Sequence, residues 1–146
     1  VTVGAPGGVL RYAVRRDGRA ILLPSRLGFA LRGAPPLGEG LRVGGTARAA
    51  VDTVWTQPWG EVARVRDRHR ELRVRVAESA GLRREFTVAF RAFDDGVAFR
   101  YELPAQPNLG AFAVDDELTE FALGDDARAW WIPADRAAPD RYETLY

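Results

Sequence analysis

The sequence predicts an all-β protein, an antiparallel β-sandwich of about ten short strands. Large apolar residues recur with a period of two, most regularly at Phe86, Val88 and Phe90. Turn residues separate such segments at intervals of roughly 8 to 12 residues, the spacing typical of sandwiches. No window of a dozen residues keeps the i, i+3, i+4, i+7 apolar spacing of an amphipathic helix without an interrupting Gly, Pro or β-branched run.

The first predicted element is a hairpin near the amino terminus. Every second residue from Leu10 to Val14 is large and apolar, and Ala20 to Leu23 forms a second apolar run. Asp17-Gly18 lies between them and is typical of a two-residue hairpin turn. Residues 33–40 follow as a loop that is rich in Gly and Pro.

The middle of the chain predicts two further strands, at Val62 to Val65 and at Leu72 to Val76. The dense basic patch from Arg64 to Arg75 is interrupted by acidic residues and alternates with apolar ones, which indicates the solvent face of a strand. His69, the single histidine, lies among these charges and is expected to be a polar surface residue.

The second hairpin has the strongest pattern in the chain. One strand covers Phe86 to Ala92, the turn Asp94-Asp95-Gly96 follows, and Pro104 ends the return strand from Val97 to Leu103. Residues 104–110 form another loop by composition. The last predicted strands cover 112–114, 118–123 and 127–132.

Length and composition restrict the functional classes. The 146 residues predict one domain, 1–146, with 47% hydrophobic and 28% charged residues, which excludes a disordered chain. No apolar run approaches the roughly 20 residues that a membrane-spanning helix needs. All 21 basic residues are Arg, but 20 acidic residues leave a net charge of +1, so neither nucleic acid nor membrane is expected as a partner.

Few residues suggest a catalytic or metal-binding site. One histidine and no cysteine cannot fill a usual zinc site, and neither Ser25 nor Ser79 lies in a Gly-x-Ser-x-Gly turn. The acidic runs Asp115-Asp116-Glu117 and Asp125-Asp126 are interpreted as strand-end and turn residues, since their spacing is not that of a calcium loop. Glycosidases work with paired carboxylates, yet 20 acids offer no way to choose a pair. No catalytic residue and no metal ligand is therefore assigned.

The carboxyl-terminal aromatic residues are the best candidates for a ligand or interface role. Trp130, Trp131 and Asp135 lie in one short motif, and Tyr142 and Glu143 follow it closely. Indole faces next to carboxylates suit a sugar-binding surface, although aromatic residues near a strand end are more often core. Successive strand residues point to opposite faces, so at most one of the two indoles is core and the other faces solvent, a partner or sugar.

Several segments together resemble the N-terminal domain of glycoside hydrolase family 97. They occur in the family's order and span nearly the whole chain: Ser25–Gly28, the series from Val51-Asp52 through Trp55-Thr56 to Pro58–Glu61, Phe90–Tyr101, Glu117–Phe121, Trp130–Asp135 and Tyr142-Glu143. The run from Phe90 to Tyr101 and the Trp-Trp-Ile-Pro-Ala-Asp run are the most specific of these.

The resemblance implies a β-supersandwich like that of galactose mutarotase, placed before a TIM-type catalytic barrel. Members of the family are exported bacterial α-glucosidases and α-galactosidases that depend on calcium. The barrel supplies the catalytic groups, and the calcium ligands are expected outside this segment, so the chain alone is expected to be non-catalytic and to bind no cofactor. Its expected partners are the barrel of the same polypeptide and the oligosaccharide substrate.

The resemblance also implies that the family's domain continues past Tyr146, so the sandwich is expected to be incomplete. Unpaired edges favour association, so we expect an excised portion of a longer polypeptide or a homo-oligomeric contact. The remaining alternatives are a stand-alone carbohydrate-binding module or a scaffolding module. A mutarotase-like enzyme is disfavoured because it needs a His and carboxylate pair at the sugar's anomeric centre and the chain has one histidine.

Overall fold

The computed structural model describes residues 1–126 and Arg128. This part of the chain forms nine β-strands and one short 3₁₀ turn at Pro6–Gly8, without an α-helix. All paired strands are antiparallel, which confirms the predicted all-β sandwich. The strands are β1 Thr2–Gly4, β2 Arg11–Arg16, β3 Arg19–Arg26, β4 Phe29–Arg32, β5 Leu41–Thr56, β6 Arg64–Glu78, β7 Glu85–Ala92, β8 Val97–Glu102 and β9 Ala113–Glu117.

One layer is a four-stranded sheet in the order β5-β6-β7-β8. The opposite layer combines the sheet β1-β2-β3 with the pair β4-β9. Residues 118–124 continue from β9 along β3, where Glu120 N–H donates to Arg26 O at 2.9 Å and Leu23 N–H donates to Ala122 O at 2.8 Å. The predicted strand at 118–123 is therefore an extended segment bonded along β3 rather than a regular strand.

The hydrophobic core lies between these two layers. Tyr12 of β2 contacts Phe90 and Phe99 of the four-stranded sheet, with ring centroids 5.8 and 5.3 Å apart. Phe29 of β4 meets Tyr101 edge-on at 4.4 Å. The inward positions follow the predicted alternation, because a strand with one buried face places every second side chain in the core; on β6 and β7 they are Val74, Val76, Phe86, Val88 and Phe90.

Both predicted hairpins are present. Asp17 and Gly18 have φ angles of 50° and 80°, which is the left-handed backbone of a type I′ turn between β2 and β3. In the second hairpin β7 pairs with β8 from Thr87–Glu102 to Ala92–Val97, and the Phe93 N–H closes the turn on Gly96 O at 2.8 Å.

The prediction of two separate strands within residues 62–76 is wrong. Residues 64–78 form one continuous strand, β6, which pairs along its whole length with the 16-residue β5 that the pattern did not predict. β7 accompanies β6 only as far as Arg70. Beyond that point β5 and β6 form a two-stranded ribbon whose side chains are exposed or half-buried on both faces, except for the buried His69 at its base, so no alternation marks it in the sequence.

The last predicted strand and the absence of a membrane-spanning helix remain to be compared with the structure. The strand predicted at 127–132 falls outside residues 1–126 and Arg128. Within that part of the chain, no helix is long and apolar enough to cross a membrane.

Candidate domain interface

The turns of the two hairpins lie at the same end of the sandwich and border one open cleft of about 770 Å³. Its apolar wall includes Ile21, Val97 and Phe121, which are 45%, 39% and 62% exposed. Charged side chains of the two turns, Asp17 and Asp94 among them, form its rim. An apolar surface with a charged rim is typical of a contact surface for a protein or a ligand.

Residues 123–125, near the end of the described part of the chain, lie at this same end. Leu123 bridges to Leu22, and the Gly124 N–H donates to Ile21 O at 3.0 Å. Arg19 then donates to Asp125 Oδ2 from Nε at 2.9 Å. The predicted site residues Trp130, Trp131, Asp135, Tyr142 and Glu143 lie outside the described residues, so their placement is untested.

His69 is buried, and the prediction of a polar surface residue is wrong. Its ring is packed against Phe93 at a centroid distance of 5.3 Å, and its side chain is 1% exposed. Nδ1 lies 2.5 Å from Asp67 Oδ1, and this hydrogen bond fixes the orientation of the ring. Nε2 has no hydrogen-bond partner among the described residues.

The His69 packing positions the turn of the second hairpin. A second open cavity of about 420 Å³ lies beside His69 and is also lined by Phe93 and Asp94, which border the main cleft as well. Phe93 and Asp94 therefore lie between the main cleft and the second cavity. The Asp67–His69 pair of β6 packs against them through the contact of His69 with Phe93. The alternation of β6 does not predict the burial of His69, because His69 lies on the charged face of the strand and packs against Phe93, 24 positions later in the sequence.

The solvent exposure predicted for the basic patch is confirmed, because its arginines are exposed or half-buried. On the outer side of the four-stranded sheet, Arg73 of this patch is paired with Glu71 and Glu102. Arg91 Nε donates to Glu71 Oε2 at 3.3 Å, and Arg100 Nε donates to Glu102 Oε1 at 2.9 Å. Hydrogen bonds from Arg73 and then from Arg100 hold the pKa of Glu102 below its usual range. These arginines are matched by carboxylates, so this face carries alternating charges rather than a cationic track.

The acidic runs bind neighbouring side chains. Asp115 accepts from Arg32 Nε at 2.7 Å, and Glu117 accepts from the Thr119 hydroxyl at 2.6 Å. Asp115–Glu117 form the carboxyl-terminal end of β9, and Asp125 and Asp126 lie in a bend, as the strand-end and turn interpretation predicts. Among residues 1–126, no three His, Asp or Glu side chains converge in a way that could hold a metal ion. This part of the chain therefore does not fit the calcium ion that the resemblance implies for the parent enzyme.

The fold and this surface define an antiparallel β-sandwich domain with an open contact end. Residues 1–146 match the family model described as glycosyl-hydrolase 97 N-terminal, so the chain belongs to that family. The resemblance seen in its motifs is thereby confirmed.

Two curated relatives share this region. A probable retaining alpha-galactosidase of Streptomyces bingchenggensis is 40% identical over 127 residues, which cover 86% of this chain and 19% of the relative. A retaining alpha-galactosidase of Bacteroides thetaiotaomicron is 28% identical over 123 residues, which cover 84% of this chain and 17% of the relative. The chain thus spans about a fifth of the length of the curated relatives it matches.

Solved structures agree with the fold. A glycoside hydrolase family 97 enzyme of Pseudoalteromonas sp. strain K8, an E480Q variant in complex with panose, superposes with a TM-score of 0.83 at 34% identity. The match covers 91% of this chain and 20% of that one. A beta-arabinopyranosidase superposes with a TM-score of 0.74 at 28% identity, over 84% of this chain and 19% of that one.

Proposed function

We propose that this chain is the non-catalytic N-terminal sandwich of an α-glycoside hydrolase, and that it packs on a TIM-type catalytic barrel and helps to shape the active-site side of that barrel. The observation that carries the proposal is the family match over residues 1–146 combined with the share of the relatives that it covers. A chain that matches about a fifth of a glycosidase leaves most of the enzyme, including room for a barrel of about 250 residues, in the unmatched part.

The open cleft that the turns of the two hairpins border supports a role in packing against another domain. Ile21, Val97 and Phe121 expose apolar area there that a neighbouring domain would remove from water. The sequence motif with Trp130 and Trp131 begins only a few residues after Asp125, which lies at this end. On this proposal one of those indoles, with Asp135, Tyr142 and Glu143, borders the mouth of the active site.

The test compares the 146-residue chain with the full-length polypeptide on aryl α-galactosides, with aryl α-glucosides and β-arabinopyranosides in the same panel. We expect hydrolysis of α-galactosides by the full polypeptide and none by the chain, because the barrel supplies the catalytic carboxylates. Turnover by the chain alone, or an inactive full polypeptide, would contradict the proposal.

A stand-alone carbohydrate-binding or scaffolding module is the second candidate, and the aromatic motif at Trp130 and Trp131 favours it. A binding module keeps its affinity without a barrel, so calorimetric titration of the chain with melibiose and maltose separates the two. Saturable heat with either sugar supports the binding module. Its absence, together with an active full polypeptide, supports the domain role.

Calcium dependence and export are further parts of the proposal, and both rest on the family resemblance. The full polypeptide is expected to lose activity in EDTA and to regain it with Ca²⁺, since the ligands would come from residues beyond those described. Mass spectrometry of the enzyme from culture medium and periplasm would test export. Activity unchanged after chelation, or enzyme found only in the cytoplasm, would contradict these two points.

A further inference from the structure

We propose that the β5–β6 ribbon is a docking arm for an acidic surface of the catalytic part of the same polypeptide. The ribbon consists of residues 51–69, where β6 has β5 as its strand partner but no longer β7. This inference rests on the proposed function, and it adds the surface and the chemistry through which the two parts meet.

The ribbon extends well beyond the sandwich. β7 stops opposite Arg70, while β5 and β6 remain paired as far as Thr56 and Arg64. Six further residues per strand at about 3.3 Å each give an extension of about 20 Å. Only His69, at the base of the ribbon, packs on the sandwich through Phe93. A two-stranded hairpin without a packed face is marginally stable in water, so the remaining length of the ribbon favours a partner that covers it.

The tip of the ribbon carries an exposed aromatic residue on a closed loop. Trp59 is 85% exposed, and Val62 of the same loop is 57% exposed. Gln57 closes the loop twice, with its N–H donating to Ala63 O at 3.1 Å and its side-chain amide donating to Val62 O at 2.5 Å. Trp is enriched at the centres of protein interfaces, and a loop held in shape lowers the entropy cost of inserting it.

One face of the ribbon is cationic. Arg64, Arg66 and Arg68 share the face of Asp52 and Val54, because cross-strand partners point to the same side. Asp52 is already paired with Arg66 through two hydrogen bonds of 2.8 and 2.7 Å. Arg68 lies directly opposite Asp52 on the neighbouring strand, and Arg64 has no carboxylate within 4 Å in the part of the chain that the structure describes. Three guanidinium groups therefore share this face with one carboxylate.

The occupant follows from this chemistry and from the length of the relatives. Arginine forks beside an exposed indole fit a folded protein surface with carboxylates and an apolar recess. The chain covers about a fifth of the relatives and solved enzymes, so the bulk of such a polypeptide lies outside it. The catalytic part of the same polypeptide is the partner present at the highest effective concentration.

Thiol labelling of the full-length polypeptide tests the docking arm. The chain has no Cys, so Val54→Cys on the cationic face and Ala80→Cys at the remote β6–β7 turn provide reporters that peptide mass mapping distinguishes from any other thiol. In the 146-residue chain both thiols should react at similar rates. In the full polypeptide we expect Val54→Cys to react at least about tenfold more slowly, because the thiol is accessible only when the ribbon detaches from the catalytic part.

Charge variants test the chemistry of the contact. Arg64→Glu with Arg68→Glu, or Trp59→Ala alone, should restore fast labelling of Val54→Cys in the full polypeptide. Added salt should act in the same direction, because it screens the charges. The matched control is Arg42→Glu with Arg83→Glu, two exposed arginines outside the ribbon, and it should keep the protection. Equal protection in all variants would overturn the cationic docking face.

Other occupants give different results. Protection of Val54→Cys that is already present in the 146-residue chain would show that the chain itself covers the ribbon. Protection that rises with protein concentration would indicate a second copy, and protection removed by nuclease would indicate a nucleic acid. Each of these three results would overturn the proposal. Fast labelling in a full polypeptide that hydrolyses α-galactosides would overturn the docking arm and keep the proposed function. Slow labelling in a full polypeptide without glycosidase activity would support the arm and contradict the proposed function.

Discussion

The Glu78 carboxylate binds both the backbone N–H and the guanidinium group of the buried Arg84. Glu78 Oε2 accepts from the Arg84 backbone N–H and from Nε, each at 2.9 Å. Arg84 Nη2 also donates to Glu78 Oε1 at 2.5 Å, and Nη1 and Nη2 donate to the carbonyl oxygens of Pro35 and Pro36 at 2.8 and 3.2 Å. Arg84 is 1% exposed, so these bonds satisfy a charge that water does not reach, and they connect the 33–40 loop to the β6–β7 hairpin.

Glu78→Ala should destabilise the domain by about 3–5 kcal/mol, because it leaves the Arg84 guanidinium buried without its counter-charge. Urea unfolding followed by circular dichroism measures the change. Asp125→Ala is the matched control: it removes the partner of Arg19 in an exposed pair and should cost far less. Equal losses in the two variants would contradict the structural role of the buried pair.

Glu78 should also contribute to stability in a pH-dependent way. The hydrogen bond from Arg84 lowers the pKa of Glu78 below its usual value of 4.5, so the unfolded state binds this proton more readily. The contribution is present above about pH 4.5 and is lost as the pH falls through the lower folded pKa. Glu78→Gln should flatten this acid limb of the stability profile. An unchanged slope between pH 5 and 3 would show that other carboxylates cause it.

Tyr12 should make the stability of the domain depend on pH at the alkaline end of the range. Burial, then the nearby Tyr101, raises the pKa of Tyr12 from 10.0 to about 12. Its hydroxyl donates to Glu120 O at 2.9 Å, so Tyr12→Phe should cost about 0.5–1.5 kcal/mol at pH 7. The neutral phenol stabilises the fold fully below pH 10, and this contribution is lost as the pH rises towards 12. The difference between wild type and variant should shrink over that range, and a constant difference would contradict it.

Gly28 should not tolerate a side chain. It has a φ of +154°, and a Cβ there would lie 2.6 Å from Leu37 O, which already accepts from the Phe29 N–H. Gly28→Ala should therefore cost about 1–3 kcal/mol. Gly96→Ala is the control, because a Cβ there meets open space and its φ is not positive. Thermal unfolding of both variants checks the difference, and equal melting temperatures would contradict it.

The sequence predicts the fold well where a strand buries one face. From Phe86 to Phe90 the core occupies every second position, and the turn after Asp17 needs the left-handed backbone that Gly18 adopts freely. The motif at Ser25 is also structural, since its buried hydroxyl donates to Leu23 O at 2.8 Å and accepts from Ala122 N–H at 3.0 Å. Such positions keep a pattern because the core and the turns require it.

The sequence does not predict features that depend on distant partners. β5 has no alternating pattern, because its distal half is exposed on both faces. His69 is buried by Phe93, and Arg84 by Glu78 and the 33–40 loop, and neither contact follows from local periodicity. The candidate site at Trp130 and Trp131 remains a prediction, because these residues lie outside those that the structure describes.

The most direct test of the domain role is the kcat/KM and Tm of the full-length polypeptide with and without residues 1–146. If the sandwich packs on the barrel, its removal exposes the covered barrel surface and lowers both quantities together. We predict a loss of Tm of several degrees and a loss of α-galactoside hydrolysis of at least about tenfold. A truncated enzyme with unchanged Tm and unchanged kcat/KM would contradict the account.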